Sequence, residues 1–215
     1  ECGQSYRVLA EAARKGLLPE EQVDANVLPL LEARFRLGEM DGESPWDGLS
    51  PELVEGPEHR ALSLRAAEES LVLLQNRGGL LPLGPSCRIA LIGPNANDAE
   101  MMWGNYNPVP NTTVTLLEAL RRDYPSLVHA RGCGLTDDEG VTLPALDNVD
   151  VVVFAGGISP RLEGEQMDSV EVPGFSGGDR TSIELPQVQR DLLALLHKAG
   201  KKVIFVNCSG SAVGL

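Results

Sequence analysis

Three continuous apolar runs constrain the fold of this chain more than any other feature: Arg88-Ile-Ala-Leu-Ile-Gly93, Asp150-Val-Val-Val-Phe-Ala-Gly-Gly157 and Lys202-Val-Ile-Phe-Val-Asn207. A strand with one wet face alternates apolar and polar residues, whereas a run that is apolar at successive positions needs cover on both faces. Helical patterns stand between the runs. Thr112 or Thr113 can cap a helix through Leu116, Leu117 and Leu120, and Leu127 to Ala130 reads as a further short strand. Pro186 opens a helix expected to bury Val188, Leu192, Leu195 and Leu196 before Gly200 stops it. Strands alternating with helices imply an α/β domain with a mainly parallel sheet sandwiched by helices.

The first third of the chain reads differently. Tyr6, Leu9 and Ala13 space one apolar face that Gly16 closes, and Pro19 opens a longer helix in the first-turn position. Val23, Val27, Leu30, Leu31 and Phe35 form its stripe, and Gly38 ends it. Two helices with no strand between them enclose no core, so residues 1–38 must pack on something else. Residues 39–57 are polar and carry Pro45, Gly48, Pro51, Gly56 and Pro57, the pattern of a linker. A new unit, 58–215, then begins with an amphipathic helix over 58–74 whose inward positions are Ala61, Leu64, Ala67 and Leu71. The last strand runs into Cys208-Ser-Gly-Ser-Ala-Val-Gly-Leu215, as if a further element were starting, so both ends read as cut from a longer polypeptide.

Composition removes several function classes. A net charge of −13, from 31 acidic against 18 basic residues, argues against nucleic acid and anionic membrane surfaces as partners. No apolar run approaches transmembrane length and no signal peptide precedes Glu1, so a soluble chain is expected. Cys2, Cys87, Cys133 and Cys208 form no C-x-x-C pair and have no histidine at ligand spacing, which speaks for thiols, or at most one bridge, and against a metal site. Ile92-Gly-Pro-Asn95 lacks the glycine spacing of a dinucleotide site, and Gly200-Lys-Lys202 is not a phosphate loop. No cofactor is implied. Trp103 reads as a packing residue or a stacking surface for a ligand.

The candidate chemistry lies in the loop after the Val151–Gly157 run, where Arg161, Glu163, Glu165, Asp168, Asp179 and Arg180 gather among glycines. Loops leaving the carboxyl ends of parallel strands are where α/β domains carry function. Glu163 and Glu165 flank one glycine, and in an extended loop both would face one cavity, where like-charge repulsion keeps one carboxyl protonated as a general acid. Asp179 and Arg180, just ahead of a helix, suit capping and loop support better than direct chemistry.

Several segments together resemble glycoside hydrolase family 3, in particular its β-xylosidase and β-glucosidase members. Arg34-Phe-Arg-Leu-Gly38 with Asp41 resembles the end of that family's N-terminal barrel. Ala66-Ala-Glu-Glu-Ser-Leu-Val-Leu-Leu-Gln-Asn76 with Leu81-Pro-Leu83 is similar to the entry into its second domain, and Ile89-Ala-Leu-Ile-Gly-Pro94 to that domain's first strand. Leu162-Glu-Gly-Glu165, Gly178-Asp-Arg180, Leu185-Pro186 and Gln189 resemble its acid/base loop and following helix. The resemblance implies a retaining, exo-acting β-glycosidase acting on oligosaccharides or glycosides, with a barrel aspartate as nucleophile and a glutamate here as acid/base. Glu165 takes that role by motif position, with Glu163 as runner-up and Arg161, Asp179 and Arg180 as substrate-binding or loop-support residues. Residues 1–38 would then be the last helices of the barrel, 39–57 the linker and 58–215 a truncated α/β sandwich domain. The nucleophile would lie upstream of Glu1, so the chain alone is expected to hydrolyse nothing. A periplasmic or secreted parent is implied by the same resemblance. A non-catalytic carbohydrate-binding or interaction domain is the alternative, with a nucleotide- or phosphate-binding domain as a further rival.

Overall fold

Every residue of Ile89–Ile92 and Val151–Gly157 is buried, and the two runs form neighbouring parallel strands, β1 and β3. With β2 (Val128–Ala130) and β7 (Lys202–Cys208) they make a four-stranded, all-parallel sheet ordered β2-β1-β3-β7. The computed structural model describes residues 5–104, 106–136 and 141–214. The chain forms two units, Glu1–Ala66 and Ala67–Leu215, and the sheet belongs to the second.

The pleat sends alternate residues of the apolar runs to opposite faces. On one face Ala90, Ile92, Val152 and Phe154 pack with Val188, Leu192 and Leu196 of helix α5 (Gln187–Lys198). On the other, Ile89, Leu91, Val151, Val153 and Ala155 pack with Leu117 of helix α4 (Leu116–Asp123), with Leu127 and with Ala96. Helices therefore cover both faces, the arrangement that continuous apolar strands require. Each fully buried Leu, Val or Phe contributes about 1.5–3 kcal/mol. Phe154 and Phe205, partners in the β3–β7 register, bring their rings to 5.7 Å between centroids.

Local expectations within the sandwich need correction. The cap of α4 is Thr115, not Thr112 or Thr113. Its hydroxyl accepts from Glu118 N at 3.2 Å while Glu118 Oε2 accepts from Thr115 N at 2.9 Å, a reciprocal capping box that needs a Glu three residues on. Leu195 stands on the flank of α5 and is 45% exposed, whereas Gln189 occupies a core position. β7 is half-exposed along most of its length because, among the described residues, it is a sheet edge paired through β3 alone.

Residues 171–180 form a small antiparallel sheet of β4 (Glu171–Val172), β5 (Phe175–Ser176) and β6 (Asp179–Arg180). Asp179 and Arg180 therefore lie in a hairpin strand rather than at a helix N-terminus, and α5 begins after Pro186 without a side-chain cap. Phe175 anchors this sheet in a third apolar cluster with Ile158 and Leu162, just beyond the end of β3.

In the first unit, helices α1 (Leu9–Arg14) and α2 (Glu20–Arg36) end where Gly16 and Gly38 take left-handed backbone. Pro19 is the residue before the first helical turn of α2, one position earlier than expected. The α2 stripe is not covered: Val27, Leu30, Leu31 and Phe35 are 40–66% exposed. Helix α3 (Pro57–Ser70) spans the boundary between units and buries none of its residues. It stops at Ser70 instead of residue 74, and Leu71–Leu74 are 65–80% exposed. Helices in proteins draw most of their stability from burying an apolar face; among the described residues nothing covers the face of Leu64 and Leu71. No helix of the described residues is long and apolar enough to cross a membrane.

Candidate active site

Two loops leave the carboxyl ends of β1 and β3 and are tied to each other at three levels. Nearest the sheet is Asn95, which is buried. Its backbone N donates to Ala155 O at 3.1 Å, and its Nδ2 donates to Gly156 O and Ile158 O, each at 3.2 Å. Further out, the Arg161 guanidinium grips both carboxylate oxygens of Asp98 and reaches Glu100 Oε2 at 3.5 Å. Burial opposes ionisation of Asp98, but the bonds from Arg161 and the backbone outweigh it and hold the carboxyl below its ordinary range. Arg161 is raised by the same bond to Asp98. At the loop ends, the Tyr106 hydroxyl donates to Glu165 Oε2 at 2.5 Å, which pushes the phenol's ionisation above its ordinary value.

The acidic segment turns rather than extends, and it is pinned at the glycine between its two glutamates. Gly164 N donates to Gly178 O at 3.2 Å and Met167 N to Gly177 O at 3.0 Å. A Cβ on Gly178 would sit 2.3 Å from Gly164 O, and Gly178 has φ +89°, so this approach requires glycine. Glu163, half-buried, accepts from Ser211 Oγ at 2.7 Å; Glu165, exposed, accepts from Tyr106.

Arg180 holds backbone rather than facing the carboxylates. Its guanidinium donates to Ser182 O at 3.1 Å, Ala212 O at 2.5 Å and Glu184 O at 3.2 Å, reaches Ser211 Oγ at 3.3 Å, and lies 5.7 Å over the Phe175 ring. The segment after β7 is thereby fixed to the hairpin and, through Ser211, to Glu163. Asp179 pairs with Ser176 in the hairpin register and joins none of these bonds among the described residues.

A cleft of about 550 Å³ opens at the carboxyl ends of β1 and β2, lined by Asp98, Glu100, His129, Arg131 and Arg161 among others. In a sheet ordered 2-1-3, connections diverge to either side of β1, and ligand sites of open α/β sheets lie at such switch points. Burial, and then the Arg121 charge, lower the His129 pKa. Of the residues read from sequence, Arg161 lines this cleft and Glu163 and Glu165 do not. Trp103 is half-buried and donates its indole N–H to Thr113 Oγ1 at 2.7 Å. Sequence reading missed Tyr106, Asp98 and Ser211. Asp98 could have been sought in the Gly-Pro-Asn turn after β1, but nothing local links Tyr106 or Ser211 to glutamates 59 and 48 residues away. Cys87, Cys133 and Cys208 are unbridged, and Cys2 lies outside the described residues. Among the described residues no group of three His, Cys, Asp or Glu side chains could hold a metal ion.

Fold and site together define an open, parallel α/β domain whose functional loops gather at the carboxyl ends of its strands. Residues 71–215 match the Glycosyl hydrolase family 3 C-terminal domain, and the chain belongs to that family. The chain is 30% identical to a xylan 1,4-beta-xylosidase of Xylanibacter ruminicola, covering 100% of this chain and 43% of that protein. It is 33% identical to a probable exo-1,4-beta-xylosidase of Neosartorya fischeri, covering 99% of this chain and 27% of that protein. Among solved structures, a GH3 exo-beta-xylosidase in complex with a xylobiose aziridine activity-based probe superposes with a TM-score of 0.72 at 26% identity, over 95% of this chain and 26% of that one. A β-glucosidase from Erythrobacter marinus superposes with a TM-score of 0.66 at 30% identity, over 94% and 30% respectively. The chain thus spans less than half the length of these relatives.

Proposed function

We propose that this chain supplies the general acid/base of a retaining, exo-acting β-glycosidase, of β-xylosidase or β-glucosidase type, and that Glu165 is that residue. The observation that carries the choice is the contrast between the two glutamates. Glu163 is half-buried and engaged by Ser211, which Arg180 also contacts. Glu165 is exposed, is held at one oxygen only, and among the described residues has Oε1 unpartnered. A proton donor needs an oxygen free to meet the glycosidic oxygen.

The nucleophile would be an aspartate on a barrel domain of the same polypeptide, to which residues 1–38 would contribute the last helices and 39–57 the linker. The exposed stripe of α2 fits such a partner. In a retaining mechanism the two carboxyls stand about 5–5.5 Å apart. Glu165 would first protonate the leaving oxygen as the aspartate bonds the anomeric carbon, then take a proton from the water that releases the sugar. Export of the complete enzyme to the periplasm or medium belongs to the same reading. The chain by itself would hydrolyse no glycoside.

The test compares Glu165→Ala with wild type, in the polypeptide that joins this chain to its barrel, on aryl β-glycosides of good and poor leaving ability. Loss of turnover confined to poor leaving groups, with azide rescuing the second step, supports the assignment. An equal, small loss on both moves the role to Glu163 or returns the domain to sugar binding without catalysis.

A further inference from the structure

We infer that Tyr106 is a positioning residue for Glu165, fixing which of its two oxygens handles the proton; the inference rests on the acid/base reading above. Tyr106 is 88% exposed, so burial does not hold it in place. Its backbone is nevertheless left-handed, with φ 56°, and Gln166, next to Glu165, is left-handed too, with φ 53°. Bulky residues seldom adopt this conformation. Among the described residues only Glu55 shares it. Both loops therefore adopt an uncommon backbone at the point where they meet, and what joins them there is the bond from the Tyr106 hydroxyl to Glu165 Oε2 at 2.5 Å. Strained backbone that persists at a contact marks a geometry the site requires.

The chemical consequence concerns one carboxyl. An exposed glutamate on a turn samples many rotamers, and a proton donor works only in the one facing the bond to be broken. With Oε2 held by the phenol, Oε1 is the oxygen left for the substrate. In the first step the Oε1 proton passes to the leaving oxygen as the sugar–oxygen bond breaks and the nucleophile carboxylate bonds the anomeric carbon. In the second step the water oxygen bonds the anomeric carbon as the sugar–carboxylate bond breaks, and the water's proton passes to Oε1. Tyr106 keeps its own proton throughout, in accord with the upward push that Glu165 exerts on its ionisation. The base of the Tyr106 loop is held independently by Asn95 and by Asp98 with Arg161, so losing the phenol hydroxyl leaves the loop attached.

The contact is tested on this chain alone by titrating tyrosines labelled at Cζ. Tyr106 should ionise above the ordinary tyrosine value in wild type and fall back in Glu165→Ala. Ordinary ionisation of Tyr106 in both proteins overturns the inference. The catalytic part is tested with Tyr106→Phe in the barrel-joined enzyme. Loss of about tenfold in kcat/KM is expected for poor leaving groups and little for good ones, and the loss should vanish in a Glu165→Ala background, the coupling of groups that act as a unit. An equal loss on both substrates, or an undiminished loss without Glu165, overturns the positioning role. If Glu165→Ala itself shows no dependence on leaving group, the acid/base reading falls and the catalytic part with it, while the titration still reports the contact. Thermal unfolding of Tyr106→Phe should match wild type, as suits an exposed side chain.

Discussion

Gln189 and Gly157 exchange two hydrogen bonds through one side chain: Gln189 Nε2 donates to Gly157 O at 2.8 Å, and Gly157 N donates to Gln189 Oε1 at 2.9 Å. The side-chain amide thus serves the end of β3 as a neighbouring peptide would, and Nε2 also donates to Leu135 O at 2.9 Å. Gln189 is fully buried. Gln189→Leu keeps the volume and removes every one of these partners, leaving buried backbone groups unpaired at about 1–3 kcal/mol each. Destabilisation of about 3–5 kcal/mol is expected, read as a lower urea midpoint at unchanged slope. A loss below about 1 kcal/mol would mean that water replaces the amide at the end of β3.

Gly178 lies against the backbone between the two glutamates, so Gly178→Ala should cost about 1–3 kcal/mol through strain and displace the acidic turn. Gly210, where an added Cβ meets nothing within 4 Å and φ is not left-handed, is the control: Gly210→Ala should be neutral or slightly stabilising. Equal effects at the two sites in thermal unfolding would refute the account of the turn.

Arg88 and Asp150 clasp the start of β1 to the start of β3, with Nη2 to Oδ1 at 2.5 Å, Nε to Oδ2 at 3.1 Å and the Arg88 backbone N to Oδ2 at 2.9 Å. The side-chain bond first, and the backbone bond next, lower the Asp150 pKa to about 2. A carboxyl whose folded pKa is depressed favours the folded state above its unfolded pKa, ~3.9, and loses that contribution as pH falls through the folded value. Asp150 should therefore add to acid sensitivity between about pH 4 and pH 2. In Arg88→Leu its NMR titration midpoint should rise toward the ordinary aspartate value; an unmoved midpoint would assign the depression to the backbone bond alone.

Arg180 holds the segment after β7 through carbonyls that a single ammonium cannot reach together. Arg180→Lys should accelerate hydrogen exchange at the Gly214 amide, which donates to Ile183 O at 2.6 Å, by about tenfold or more. The amides of β3 should be unaffected. Unchanged exchange at Gly214 would show that the Glu184–Gly214 bridge suffices without the guanidinium.

The sheet was legible because Ile89–Ile92 and Val151–Gly157 are apolar at every position, a pattern that forces cover on both faces. β7 carries the same pattern, yet the sequence does not say which strand will be an edge; that follows from pairing order, a long-range property. Thr115 lost out to Thr112 and Thr113 although the spacing to Glu118 was readable. The hairpin at Asp179-Arg180 was hidden by the helix that follows it, although Gly177-Gly178 is a two-residue turn signal between short strands. The acidic loop could be located from its place after a strand. How its glutamates divide could not, because the partners that separate them, Tyr106 and Ser211, come from the segments that follow two other strands.

The strand order also sets a schedule for the ribosome. Arg88 and Asp150, which join the starts of β1 and β3, are separated by 62 residues, and at roughly 5–20 residues per second β1 emerges about 3–12 s before its partner. During that interval the emerging strand that can shield it is β2, three residues long, which claims its opposite edge. With β2 on one edge and α4 on one face, β1 would still present its β3-side edge as an open template for aggregation until β3 emerges. Stalled nascent chains ending between β2 and β3 should resist protease better than chains ending before β2.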